Sequence, residues 1–137
     1  MNEKRIYLDA KSKIEVYYMK YEWIDEYLVS KQGCVKDFKE EWGAYRYMLN
    51  SKMYCMIGGD KEGKPIVSLK CEPEYAISLR EDYSDVVLGY YLNKAHWNSI
   101  YLEGNVPDEV MKQMIDMSYD LILRSLPKKV QEEIRQG

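Results

Sequence analysis

Three short runs of apolar and aromatic residues, separated by turn-forming residues, limit the fold of this chain more than any other feature. The runs are AYRYML (44–49), KMYCMIG (52–58) and PIVSLKC (65–71), and the connections hold Asn50-Ser51 and GDKEGK. Runs of this length, bounded by Asn, Gly and Asp, are typical of strands joined by tight hairpins. The sequence therefore predicts an antiparallel meander in the middle of the chain.

A helix is predicted before the meander. Ser12 and Glu15 have the spacing of a capping box, in which each side chain satisfies a free backbone N–H. Apolar and tyrosine residues then recur at helical spacing as far as the stop signal at Gly33, which predicts a first helix over about 13–32. Residues 34–43 are expected to be a connector between this helix and the first strand.

The second half of the chain predicts a helix, two strands and a longer helix. The segment 72–82 opens with Glu-Pro-Glu, and proline is tolerated in the first turn of a helix. The runs over 86–92 and 97–104 have the composition of strands joined by the bend NKAH. Pro107 begins a long helix with an apolar stripe, and Pro127 ends it.

The predicted order is therefore αβββαββα. Helices separated by antiparallel strands indicate an α+β two-layer sandwich, with the helices packed on one face of the sheet. We expect a partly helical N-terminal extension over 1–19, one domain over 20–129 and a charged C-terminal tail over 130–137.

Composition makes several classes of protein improbable. The 137 residues carry a formal net charge of −3, whereas general nucleic-acid binders have basic domains. The three cysteines are odd in number and widely spaced, so we expect reduced thiols in the cytoplasm. The longest apolar run, 86–92, is too short to cross a bilayer, so no membrane partner is expected.

The residues offer little support for catalysis or for a cofactor. Gly58, Gly63 and Lys64 match the G-x-x-x-x-G-K pattern of a phosphate loop, but Pro65 and a strand follow where Ser or Thr and a helix are required. His96 is the only histidine, and no second group is spaced to form a metal shell or a nucleophile–base pair with it. The chain is therefore expected to be non-enzymatic, with no metal and no cofactor.

Charge is distributed unevenly in spite of the acidic total. Residues 43–70 carry a net charge of +3, and the loops 59–64 and 93–98 both offer lysine. Two basic loops on one sheet can straddle a phosphate backbone, because lysines there release counterions. The alternatives are that these lysines only keep turns and edges soluble, or that a Tyr/Met/Trp-rich surface binds a protein partner or a second copy.

Several short motifs make the second half of the chain more specific. They are Ser68-Leu69-Lys70-Cys71 before the Pro-Glu helix, Leu92-Asn93-Lys94 with His96-Trp97-Asn98, Tyr101-Leu102-x-Gly104, Pro107-Asp108-Glu109 and Ser118-Tyr119. In these motifs and in its element order, the chain resembles the MmcQ/YjbR family of small bacterial proteins over about residues 20–129. The resemblance implies a CyaY-like or secretion-chaperone-like α+β fold, in agreement with the order predicted from the residues.

The resemblance also implies DNA binding through a double-wing arrangement of loops, with wings at 59–64 and 93–98. In this interpretation Trp97 packs against the sheet edge as a structural anchor, and Asn93 caps the bend through its own backbone. Lys94 and His96 then point outward toward phosphate. The candidate DNA-contacting residues, from charge and resemblance together, are Arg46, Lys52, Lys61, Lys64, Lys70, Asn93, Lys94 and His96.

Overall fold

The computed structural model describes the backbone of residues 4–7 and 15–18, and backbone and side chains over 21–89 and 92–137. Two strands, β1 (Lys4–Tyr7) and β2 (Glu15–Tyr18), pair antiparallel as a two-stranded sheet. The following elements are α1 (Ile24–Val29), β3 (Cys34–Lys39), β4 (Ala44–Leu49), β5 (Lys52–Gly59), β6 (Pro65–Lys70), α2 (Pro73–Asp82), β7 (Val86–Leu88), β8 (Trp97–Tyr101), α3 (Asp108–Arg124) and α4 (Lys128–Gln136).

The main sheet has six antiparallel strands in the order β3-β4-β5-β6-β8-β7. The predicted meander forms its first part, and the turn at Asn50 takes a positive φ of 58°, which Asn tolerates. β6 and β8 then pair across a long intervening segment, with Ile66 opposite Tyr101 and Lys70 opposite Trp97. The α+β prediction with an antiparallel sheet is confirmed.

Two local predictions are wrong. Residues Glu15–Tyr18, placed inside a helix over 13–32, form a strand, and the helix is only Ile24–Val29. The connector over 34–43 contains the edge strand β3. In the extension predicted over 1–19 the structure describes β1 and β2, and the rest of that extension lies outside the described residues, so its partly helical character stays a prediction. The charged tail predicted over 130–137 lies almost wholly within α4.

The helices pack on one face of the sheet, which we call the helix face. Cys55, Val67 and Ile100 point toward it from adjacent strands and are fully buried with the apolar stripe of α3. The opposite side carries none of the described helices, and we call it the open face although its centre is buried. Its central residues Ser68 and Ser99 lie side by side, are also fully buried, and share a hydrogen bond of 2.7 Å between their hydroxyl oxygens.

A β-bulge at Tyr54 resets the alternation of side chains in β5. Tyr47 faces Cys55 across the β4–β5 pair, whereas the next residue, Met48, faces Met53, so Tyr54 is the extra residue. Tyr54 and Cys55 are therefore both buried on the helix face. The Tyr54 hydroxyl donates a hydrogen bond of 2.6 Å to the carbonyl of Leu28 at the end of α1.

Tyrosine hydroxyls tie separate elements together. Tyr21 donates to the carbonyl of Val106 at 2.5 Å, and Tyr119 donates to the carbonyl of Gln32 at 2.6 Å. Burial, with the nearby charge of Asp108, raises the pKa of Tyr21 to about 12. These two tyrosines therefore join the segments on either side of α1 to other parts of the fold.

Candidate functional site

The two loops predicted to act together lie at opposite ends of the sheet. Loop 60–64 joins β5 to β6 next to Pro65, while loop 92–96 leads into Trp97, opposite the far end of β6 at Lys70. Since β6 spans six residues at about 3.3 Å each, the two ends are separated by roughly 15–20 Å. Lys94 and His96 therefore do not converge with loop 60–64 at one end, as the sequence hypothesis required, although Leu92 at the start of their loop lies near Asp60 and Gly63.

The basic candidate residues that are not neutralised by nearby carboxylates lie at one end of the sheet. The backbone N–H of Cys71 donates to the carbonyl of His96 at 2.7 Å, which fixes loop 92–96 beside Lys70. Lys94 and His96 are exposed, and over the described residues their side chains make no hydrogen bond or ion pair. We call Lys52, Lys70, Lys94 and His96 the cationic end.

The members of the cationic end do not share one face. Lys70 lies on the open face next to Trp97, whereas Lys52 points to the helix face and donates to the Ser125 hydroxyl at 3.0 Å. Glu72, which precedes α2, is exposed nearby and reduces the positive charge. The side chains available to a phosphate are therefore Lys70, Lys94 and His96, on the side of the open face.

The bend that carries Lys94 and His96 is fixed by local hydrogen bonds. The Asn93 side-chain oxygen accepts from the N–H of Ala95 at 3.0 Å, which confirms the predicted cap. Gly89 donates to the carbonyl of Trp97 at 2.9 Å, and a Cβ on Gly89 would lie 2.7 Å from the Trp97 Cβ. Trp97 is half-buried at the start of β8, and its role as an anchor stays a prediction.

The other end of the sheet, formed by loops 40–43 and 60–64, is acidic, and we call it the acidic end. The Asp60 carboxylate accepts the N–H groups of Glu62 and Lys64 at 2.8 and 2.9 Å, and the Tyr101 hydroxyl at 2.9 Å. Burial acts to raise the pKa of Asp60, but these hydrogen bonds outweigh it and lower the pKa. Lys61 and Lys64 sit among Asp60, Glu62, Glu40 and Glu41, so this loop offers little net attraction for phosphate.

Arg46 is occupied by a carboxylate. Its Nε and Nη2 donate to the two oxygens of Asp37 at 2.8 and 2.5 Å, which is a bidentate pair across β3 and β4. The hydrogen bond from Arg46 holds the pKa of Asp37 below its usual value. This candidate therefore serves the sheet and is not available to a phosphate.

Two motif residues that sequence reasoning left without a role join the helices to the sheet. Asn98 is buried, donates to the Ala76 carbonyl at 3.3 Å and accepts from Arg80 at 2.6 Å. The Ser118 hydroxyl donates to the carbonyl of Tyr54 at 2.5 Å and accepts from the N–H of Lys70 at 2.9 Å. Isolated polar residues in apolar runs were the only available signal for them.

A cavity of about 530 Å³ opens on the open face toward the acidic end. Ala44, Met56 and Gly58 form its floor, and Trp42 stands at one side with 51% of its surface exposed. Its remaining lining includes Glu41, Asp60 and Leu92. No sequence motif indicated this cavity, because its parts come from four separate segments.

Cys71, next to the His96 carbonyl, gives a chemical readout of the cationic end. Burial, with the nearby charge of Glu72, raises the pKa of this thiol from 9.0 to about 11. At pH 8 the native protein should therefore hold about 100-fold less Cys71 thiolate than the unfolded chain. Alkylation of Cys71, followed by mass spectrometry with and without urea, should show at least that ratio of rates.

The same shift has a consequence for stability. The pKa of the Cys71 thiol is higher in the folded protein than in the unfolded chain. The thiol's contribution to the free energy of unfolding is therefore fully present below pH 9 and is lost as the pH rises through about 11. In the alkylation experiment, equal rates for Cys71 in the native and the unfolded protein would contradict this prediction and would show that the loop beside Cys71 opens freely.

Other kinds of site find no support in the part of the chain that the structure describes. Over 21–89 and 92–137, no three His, Cys, Asp or Glu side chains are grouped so that they could hold a metal ion. Within the described residues, no helix is both long enough and apolar enough to cross a membrane.

Comparisons with known proteins show which family the chain resembles. The family model YjbR matches residues 29–121. The chain is 35% identical to the uncharacterized protein YjbR of Escherichia coli K12, over 76% of this chain and 87% of that one. It is 31% identical to the uncharacterized protein YyaQ of Bacillus subtilis, over 72% of this chain and 93% of that one.

Solved structures share the fold. The crystal structure of Deinococcus radiodurans protein DR2400, with a DUF419 domain, superposes with a TM-score of 0.71 at 24% identity, covering 81% of this chain and 84% of that one. A protein from Pseudomonas syringae superposes with a TM-score of 0.65 at 22% identity, covering 75% of this chain and 98% of that one. At these identities the likeness extends to the fold alone. The matched family model and the two sequence relatives show that the chain belongs to the YjbR family.

Proposed function

We propose that this protein is a non-enzymatic DNA-binding protein that contacts phosphates through Lys70, Lys94 and His96 at the cationic end. The observation that carries the proposal is the bond from the Cys71 N–H to the His96 carbonyl. This bond holds two exposed basic side chains of loop 92–96 beside a third on β6.

The division of labour among the motif residues supports this proposal. Asn98, Ser118 and Gly104 each have a structural role within the fold, in a hydrogen bond or in a close approach. The side chains of Lys94 and His96 stand in the same group of motifs without such a role among the described residues, although the His96 backbone has one. Exposed basic side chains on a rigid bend suit phosphate contacts, which position a protein on DNA without reading its sequence.

The test is a titration of labelled duplex DNA by fluorescence anisotropy. The site variant is Lys70→Glu/Lys94→Glu, and the matched control is Lys61→Glu/Lys64→Glu at the acidic end. Both variants change two lysines to glutamate and alter the net charge equally, so a difference between them reports position and not total charge. We expect at least tenfold weaker binding in the site variant and binding close to the parent in the control.

Salt dependence provides a second readout from the same titration. If the two lysines contact phosphates, affinity should fall roughly 12-fold between about 50 mM and 200 mM salt. No binding by the parent at the lower salt concentration, or equal losses in both variants, would count against the cationic end as a DNA site.

A specific observation supports protein interaction as the second candidate. Val35, Met48 and Met53 are register neighbours on the open face, and Val35 is 62% exposed. An apolar strip of this kind suits a partner or a second copy better than it suits DNA. Sedimentation velocity of the DNA-free protein distinguishes the candidates, because a concentration-dependent dimer with no DNA affinity would favour this one.

A further inference from the structure

We propose that the cavity on the open face binds a small organic cation with an apolar body. This site is separate from the cationic end and has the opposite charge preference. A volume of about 530 Å³ lies within the usual range for small-molecule sites. The chemistry of its walls determines which class of molecule it accepts.

The floor and one wall of the cavity are apolar. Ala44 and Met56 lie in the floor, almost fully buried, and Gly58 in β5 contributes no side chain. A Cβ on Gly58 would approach the Ala44 Cβ to 2.9 Å, so packing keeps this part of the floor flat. An apolar ring or chain can therefore lie against the sheet here with little polar surface to desolvate.

Trp42 offers an aromatic face at the side of the cavity. Half of its surface is exposed, which is high for the largest apolar side chain in a loop that packs on a sheet. Two cations of the chain already approach the ring: Lys39 Nζ at 5.8 Å and Arg46 Cζ at 5.9 Å from its centroid. Positive charge is thus favourable at this ring, as expected for a cation–π contact.

The charged groups of the lining are all acidic. Glu41 and Asp60 line the cavity, and no Lys, Arg or His is among its described lining residues. The hydrogen bonds to Asp60 lower its pKa, so this carboxylate stays ionised at neutral pH. Lys39 lies 3.8 Å from Glu41 and Arg46 lies 2.5 Å from Asp37, so the three carboxylates and two cations around this wall leave a net charge of −1. The cavity therefore attracts a cation and disfavours phosphates and other anions.

The test uses benzyltrimethylammonium as the probe, with benzyl alcohol and phenylacetate as neutral and anionic comparisons. Binding is followed by ¹⁵N–¹H NMR, with the amides of Gly58, Gly59 and Gly63 and the Trp42 indole as reporters. We expect saturable shifts at these groups with the cation, weaker binding of the alcohol and none of the anion.

Two variants test whether Trp42 and Glu41 contribute to binding of the probe. Trp42→Ala should weaken the probe about tenfold, and Glu41→Gln about threefold, because each removes one source of attraction for positive charge. Both side chains are exposed, so the fold should be unchanged in the spectra. Ile77→Ala, on the exposed side of α2, is the matched control and should bind the probe as the parent does.

Several outcomes would overturn the proposal. They are the absence of saturable shifts, equal binding of phenylacetate, and parental affinity in the Trp42→Ala variant. Since the DNA site variant changes lysines at the other end of the sheet, failure of either proposal leaves the other to stand on its own result.

Discussion

Replacing Ser118 by alanine should lower the free energy of unfolding by about 3 kcal/mol, because one buried and one partly buried backbone group lose their partner. The β5–β6 ladder ends at the pair Cys55–Leu69, and the Ser118 hydroxyl spans the next position between the Tyr54 carbonyl and the Lys70 N–H. Ser118 is fully buried, so water cannot easily replace the hydroxyl. Urea denaturation at neutral pH measures the loss directly.

Ser125→Ala, at the C-terminal cap of the same helix, is the matched control. Ser125 is exposed, and its hydroxyl bonds to the Ile122 carbonyl and to Lys52, where water can take its place. We expect this variant to lose less than about 1 kcal/mol. Similar losses in the two variants would mean that the Ser118 hydroxyl does not bridge the strands.

Replacing Gly104 by alanine should also cost about 3 kcal/mol, for a steric reason. A Cβ at this position would lie 2.8 Å from the Asp85 Cβ and closer still to the Asp85 carboxyl group. The carboxylate is held there, because its Oδ2 accepts the N–H of Asn105 at 2.8 Å. Since a Cβ cannot swing aside as the end of a long side chain can, the backbone must move.

Gly43→Ala separates this steric effect from the conformational preference of glycine. Gly43 has a φ of 61° but no neighbour within 4 Å of an added Cβ, so its replacement meets only backbone strain. We expect a loss of about 1 kcal/mol there. Thermal unfolding of the two variants side by side measures both losses. A Gly104→Ala protein as stable as Gly43→Ala would show that Asp85 yields without cost.

Elements with one regular apolar period over their whole length were predicted correctly from the sequence. The prediction failed where the residues fit both a helical and a strand period. The α3 stripe and the hairpin at Asn50 were both recognisable from local pattern. In 14–18 the tyrosines fit a helical period, yet Glu15–Tyr18 forms a strand, as aromatic residues readily do. The edge strand β3 was missed because Lys36 and Asp37 interrupt its apolar pattern, and the structure pairs them with Asp25 and Arg46.

The candidate site was predictable only in part, for a topological reason. That the bend at Asn93 presents Lys94 and His96 outward followed from turn chemistry. The separation of loops 60–64 and 92–96 depends on the pairing of β6 with β8, a long-range contact that no local pattern encodes. The Arg46–Asp37 pair and the cavity likewise depend on which strands are neighbours.

The pairing of β6 with β8 also affects how the chain can reach its fold. Strands β3 to β6 follow one another as hairpins and can assemble early, since their contacts are local. The partner on the other side of β6 begins only at Trp97, after α2 and β7, and Ser118 joins later still. On the ribosome, β6 is therefore an unprotected strand edge until the last third of the chain has emerged, and misassociation with other chains is most probable during that interval.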